Sequence, residues 1–147
     1  MSATGFPTLD SSVQKVHEWI KDFSEEVGGL DKHNALRGLA AGLQALRDRL
    51  PVELSAHLAA QLPLVLKGFY YDGWRPAEAV RHIRQQDDYL ETVIDALADP
   101  ALTPRAREIV QGVFAVLDRH VSPGEMDKVW NALPESLRRL WPGGPLN

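Results

Sequence analysis

The sequence predicts an all-α protein: a single-domain helical bundle of about eight helices, built from two four-helix repeats related by a pseudo-twofold axis. Three observations predict it. Apolar residues recur at spacings of three and four along nearly the whole chain, the pattern of one buried helix face. No run alternates apolar and polar residues toward a hairpin turn. The second half repeats the apolar positions of the first at an offset of 71 residues, without a gap across three helices.

The first helix follows Pro7 and carries Val13, Val16, Ile20, Phe23 and Val27 on one face. Asp10, Ser11 or Ser12 is placed to cap its start, and Gly28-Gly29 ends it. Asp31 caps the second helix, with Leu30 as a hydrophobic staple and Leu36, Leu39, Leu43, Leu46 and Leu50 on its face. Pro51 stops it and suits the first turn of a short third helix with Leu54, Leu58 and Leu62. Pro63 does the same for a fourth, with Leu66, Phe69 and Tyr70. The run Asp72-Gly73-Trp74-Arg75-Pro76 is too short and too aromatic for a flexible linker, so it reads as an ordered hinge.

A fifth helical region, about 77–98, carries Val80, Ile83, Leu90, Val93, Ile94 and Leu97. A break is expected near Gln86-Asp87-Asp88, where the apolar spacing lapses. Thr103-Pro104 reads as cap and first turn of a sixth helix, with Ala106, Val110, Val113, Phe114, Leu117 and Val121. Ser122-Pro123-Gly124-Glu125 fits a capping box for a seventh, with Met126, Val129 and Leu133. Pro134 opens the eighth, with Leu137 and Leu140, and Trp141-Pro142-Gly143-Gly144 closes the folded part.

The repeat pairs Ala35 with Ala106, Leu46 with Leu117, Leu62-Pro63 with Leu133-Pro134 and Leu66 with Leu137. Identities are few; the coincident apolar positions and helix-opening prolines carry the inference. Repeat one spans about 9–71, the hinge 72–76, repeat two about 77–142 and a tail 143–147. Two such units bury their faces against each other, so one domain is expected. Gly38, Gly42 and Ala45 form a small-residue ridge on the second helix, although interior glycine costs a helix about 1 kcal/mol relative to alanine. Their equivalents on the sixth helix are the bulky Ile109, Val113 and Val116. Either the two central helices interlock across the pseudo-twofold, or each ridge meets a helix of its own half.

The 147 residues carry 16 lysines and arginines against 20 aspartates and glutamates, a net charge of −4, and no cysteine. A disulfide scaffold, a thiolate zinc site and a cysteine nucleophile are thereby excluded. Mild acidity argues against a general nucleic-acid binder. No segment reaches the roughly 18 consecutive apolar residues of a membrane span. The start, Met-Ser-Ala-Thr-Gly-Phe-Pro, lacks the basic end and apolar run of a signal peptide, so a cytoplasmic location is expected.

No catalytic constellation emerges, and neither a metal nor a cofactor is expected. The five histidines, His17, His33, His57, His82 and His120, lack metal-ligand spacing. Ser55 and His57 are two apart on one helix and do not face each other. Asp87, Asp88, Glu91 and Asp95 gather acid on one helix and read as a solvated face. Arg75, Arg81, His82 and Arg84 make a basic patch, able to attract an anion or to pair with that acid. The most unusual feature is Phe69, Tyr70, Tyr71 and Trp74, followed by Arg75, at the junction of the repeats. Aromatics beside an arginine suit a binding hot spot; they also suit a sealed core edge.

The stretches Leu46-Arg-Asp-Arg-Leu-Pro-Val-Glu53, Leu58-Ala-Ala-Gln-Leu-Pro63 and Gly68-Phe-Tyr-Tyr-Asp-Gly-Trp74 resemble the bacterial family catalogued as domain of unknown function 2267. Val116-Leu-Asp-Arg-His-Val-Ser122 and Leu133-Pro134 extend the resemblance over about 9–142. It implies a small all-helical bacterial protein and brings no activity, cofactor or catalytic residue with it. Tyr89 stands where the family usually has phenylalanine.

Three functions follow as expectations. The first is a non-enzymatic interaction module that contacts a protein partner, or a second copy, through Phe69, Tyr70, Tyr71, Trp74 and Arg75. The second is a small-ligand binder or enzyme with a pocket between the repeats, where Tyr71, Arg75 and His82 converge. The third is nucleic-acid binding through 75–84, which the net acidity opposes.

Overall fold

The computed structural model describes residues 4–143. Among these it holds eight α-helices and no strand. They are α1 (Pro7–Val27), α2 (Lys32–Arg49), α3 (Val52–Ala59), α4 (Leu64–Tyr71), α5 (Gln86–Leu97), α6 (Ala106–His120), α7 (Pro123–Ala132) and α8 (Glu135–Arg138). Single 3-10 turns at Pro76–Glu78 and Thr103–Arg105 precede α5 and α6. The first three residues and, beyond Gly143, the tail lie outside the described residues. No described helix is long and apolar enough to cross a membrane.

α2 is the central element. Its leucine face is buried at Leu39, Leu43, Leu46 and Leu50, and its small residues Gly38, Gly42 and Ala45 are buried beside it. A helix buried nearly all round must offer hollows as well as knobs. Gly42 is such a hollow: a Cβ there would lie 2.5 Å from Cγ2 of Val113. One at Gly38 would lie 3.2 Å from the Phe23 ring and 3.6 Å from Cδ1 of Ile109. The ridge on α2 therefore receives the bulky residues of α6, the interlocking arrangement, with Phe23 of α1 wedged alongside. α6 has a hollow of its own at Gly112, where a Cβ would meet Val27 at 2.7 Å and Phe23 at 3.1 Å.

Several local expectations need correction. α1 begins at Pro7 itself, so Asp10, Ser11 and Ser12 lie inside it and Phe6 takes the cap position without a side-chain bond. Pro7 fills a first-turn position where its missing N–H has no cost. Val13 is exposed; the buried face starts at Val16 and includes Trp19, which the three–four spacing passes over. The region 77–98 is helical only from Gln86, after the turn at Pro76–Glu78. Val80 and Ile83 are half-buried without forming a helix, and the Ile83 carbonyl accepts a hydrogen bond from Nε of Arg49. Thr103 does not cap α6; its hydroxyl donates to the Asp99 carbonyl. Pro51, Pro63 and Pro134 sit one residue earlier than expected, at the N-cap positions of α3, α4 and α8.

The capping box on α7 is half made. Ser122 Oγ accepts from the Glu125 N–H at 3.3 Å, but the Ser122 N–H donates to Oε1 of Gln61 at 2.8 Å instead of to Glu125. Gln61 also donates to Ser122 Oγ, so this pair joins the end of α3 to the start of α7. On α2 the expected cap is present: the Asn34 N–H donates to Asp31 Oδ1 at 2.8 Å.

Candidate functional site

α4 divides the aromatic run by helical geometry. Leu66 and Tyr70, four apart, turn inward and are buried. Leu64, Gly68 and Tyr71 share the outer face. Tyr70 is thus a core residue, a correction to its place among the contact candidates. Its hydroxyl donates to the Ser55 carbonyl at 3.0 Å, and burial pushes the phenol's pKa upward.

That bond belongs to a closed cycle. Ser55 Oγ donates to the Arg47 carbonyl at 2.6 Å, and Arg47 Nη1 donates to the Tyr70 carbonyl at 2.8 Å. The sequence explains the need. In an α-helix the Arg47 carbonyl would receive the N–H of residue 51, but Pro51 has none. Ser55, fully buried on α3, supplies the missing donor. Arg47 Nη1 also donates to the Asp72 carbonyl at 3.0 Å, and Gln44 Nε2 to the Phe69 carbonyl at 2.9 Å. Two α2 side chains thus satisfy the free carbonyls at the C-terminus of α4, with Arg47 held by Asp48 at 2.8 Å. The result fixes α4 and the hinge against the core.

Phe69 is 37 % exposed, Tyr71 38 % and Leu64 55 %; two apart on α4, Phe69 and Tyr71 point to different sides, Phe69 toward the α2–α5 cleft and Tyr71 toward Trp74. The Tyr71 ring lies 5.5 Å from that of Trp74 and edge-on to Tyr70 at 5.7 Å. Trp74 is half-buried, with its indole N–H enclosed and without an acceptor among the described residues. Phe69 lines two clefts. One, of about 260 Å³, lies over Gly68 between Val65 and Asp72. The other, of about 380 Å³, runs between α2 and the C-terminal end of α5, past Leu36, Arg37, Gln44 and Leu97. Arg37 ties that wall together, donating to the Leu97 carbonyl at 2.7 Å and to Asp99 at 2.9 Å.

The remaining predicted residues, Arg75 and His82, line neither of these clefts. Arg75 is exposed, with Glu78 at 3.7 Å. His82 lines a separate cleft of about 560 Å³, shared with Ile83, Arg84, Gln85, Asp88 and Glu91. None of these three clefts brings Tyr71, Arg75 and His82 together. The acidic residues of α5 are exposed, and no ion pair links them to Arg81 or Arg84. Among the described residues, no group of three or more histidines and carboxylates could hold a metal ion.

Sequence reasoning missed three features. Phe6, Leu9 and Val13 extend the α1 stripe beyond the core and are exposed. Leu64, directly after Pro63, is exposed where a fourth-helix core residue would be expected. Arg49 is buried, and nothing in its neighbourhood of the sequence marks it.

In comparison with models of protein families, residues 16–140 match the family described as an uncharacterized conserved protein, DUF2267. No curated protein matches the chain.

Proposed function

This chain belongs to the DUF2267 family, and on that premise we propose that it is a non-enzymatic interaction module. Its contact surface is the exposed part of α4, with Phe69 and Tyr71 on two adjoining sides of the helix end, and the hinge. The observation that carries the reading is the rigid presentation of Phe69 and Tyr71. Both are more than a third exposed, yet their helix end is held by side-chain bonds from α2, a buried one from Arg47 and an exposed one from Gln44. Preorganised aromatics flanked by an arginine, here Arg75, suit a contact that loses little freedom on association. Phe69, Tyr71, Trp74 and Arg75 are its members; Tyr70 supports them from beneath.

We also propose one domain of two repeats, in the cytoplasm of a bacterium. The packing supports the repeat: α1 lies along α6 and α5 along α2, which are equivalent pairings after the 71-residue shift. The test of the module is affinity capture from the native host with the wild-type chain and Phe69→Arg in parallel. A partner held by the first and lost by the second supports the reading. Equal capture by both counts against it. A second reading, a small-ligand binder or enzyme, rests on the apolar cleft between α2 and α5, which joins the two repeats. Its polar groups are His33, Arg37 and Gln44 rather than Tyr71, Arg75 and His82. Saturable binding of a small molecule that Leu36→Trp abolishes would favour it.

A further inference from the structure

Gly68 lies in the interior of α4, where glycine costs a helix about 1 kcal/mol relative to alanine. The other glycines of helix interiors, Gly38, Gly42 and Gly112, have a reason inside the chain, since side chains of α1 or α6 fill the space a Cβ would take. A Cβ at Gly68 would meet nothing within 4 Å. It would point outward, because Leu66 and Tyr70 take the buried side. Leu64, four residues before, and Tyr71, three after, lie in line with it and are exposed. The face therefore reads large, small, large at the four–three spacing of a helix-pair seam. Val65, Phe69 and Asp72 wall the hollow over Gly68.

The charges beside this face favour a second copy. Lys67 and Asp72 stand on opposite flanks of the stripe, five residues apart, and neither has an ion-pair partner among the described residues. Where two parallel helices meet along such a seam, the residue just before the small position on one faces the residue five later on the other. Lys67 of one copy then faces Asp72 of a second, and a twofold axis repeats the relation. Antiparallel order would instead set the two Lys67 flanks against each other. The face is thus complementary to itself in one order. We propose that α4 pairs in parallel with α4 of a second copy, the two chains meeting at Gly68 with Leu64 and Tyr71 packed across the axis. The proposal rests on α4 being the contact surface and names its partner. α4 has 8 residues and is about 12 Å long. An interface of that length stays below about 1,200 Å² in total, the size of weak and reversible contacts.

The test is sedimentation of the full chain over about a hundredfold range of concentration. A reversible monomer–dimer equilibrium is expected. Gly68→Leu fills the hollow without touching a neighbour in its own chain. It should melt no lower than wild type and weaken the dimer about tenfold or more. Lys67→Asp and Asp72→Lys should each weaken the dimer, and the two together in one chain should restore it. The chain has no cysteine, so Leu64→Cys reports the order. Oxidation should link it to its own copy, because equal positions at the end of the stripe meet only in a parallel pair. A monomer at every concentration, a dimer untouched by Gly68→Leu, no recovery in the double charge variant, or no link through Leu64→Cys would each overturn the pairing. A monomer that captures a different protein from the host, and loses it in Phe69→Arg, would overturn the pairing alone and leave the α4 contact surface standing.

Discussion

Ser55→Ala is expected to be among the most damaging single-atom deletions in this protein. Ser55 has no solvent exposure, and its hydroxyl is the donor to a buried carbonyl that Pro51 leaves unserved. Alanine fills nearly the same space, so packing is little changed. What is lost is one hydrogen bond, and the Arg47 carbonyl is left dry and unpaired, at a cost of about 1–3 kcal/mol. For a chain of this size each kcal/mol moves the melting temperature by roughly 2–4 °C. A fall of about 2–12 °C is therefore expected by calorimetry, with an equivalent loss in urea unfolding. Tyr70→Phe removes the other side-chain hydroxyl of the cycle and should cost about 1 kcal/mol. The double variant should depart from the sum of the two by more than about 0.5 kcal/mol, because the bonds share members. Ser12→Ala, on the exposed side of α1, is the control and should stay within about 0.5 kcal/mol of wild type. If Ser55→Ala matches that control, the idea that Ser55 replaces the missing proline N–H is wrong.

Gly42→Ala should destabilise the fold by about 1–3 kcal/mol despite its gain in helix propensity, since the new Cβ would press on Val113. Adding Val113→Ala should recover part of that loss in urea denaturation, and a stabilised Gly42→Ala would refute the close approach of α2 and α6. Asp118, which accepts from the Trp141 indole at 2.7 Å, has its pKa raised by burial, against the effect of that hydrogen bond. A carboxyl raised in the folded state favours folding below its unfolded pKa, and that contribution is lost as pH rises through the folded value. Asp118→Asn keeps an acceptor and removes the titration. Its stability relative to wild type should therefore rise as pH increases upward from the ordinary aspartate range; denaturation curves showing the opposite slope would reject the burial argument.

Much of the fold was legible because helix periodicity and proline placement are local signals. The small-residue ridge marked a close approach, since Gly38 and Gly42 are conspicuous among leucines, but left open whether α6 or a helix of the same half meets it. The stretch 79–85 was misread because Val80 and Ile83 keep a helical spacing, whereas the backbone there is fixed by Arg49 from α2, a long-range contact that no local pattern reveals. The same reason hid the Arg47–Ser55–Tyr70 cycle, whose members are 8 to 23 residues apart. At the candidate site the aromatic run was visible at once. Which ring turns inward depended on the register of α4 against α2, and that register sends Tyr70 to the core while leaving Phe69 and Tyr71 outside.

The most direct test of the interaction surface is site-specific photo-crosslinking in the native host. A photoreactive residue is placed at Phe69 or Tyr71, with Asp95 on the acidic face of α5 as the reference position. The α4 surface predicts a discrete adduct of the same mass from positions 69 and 71 and none from 95. No adduct from 69 or 71, or the same bands from 95, would contradict it.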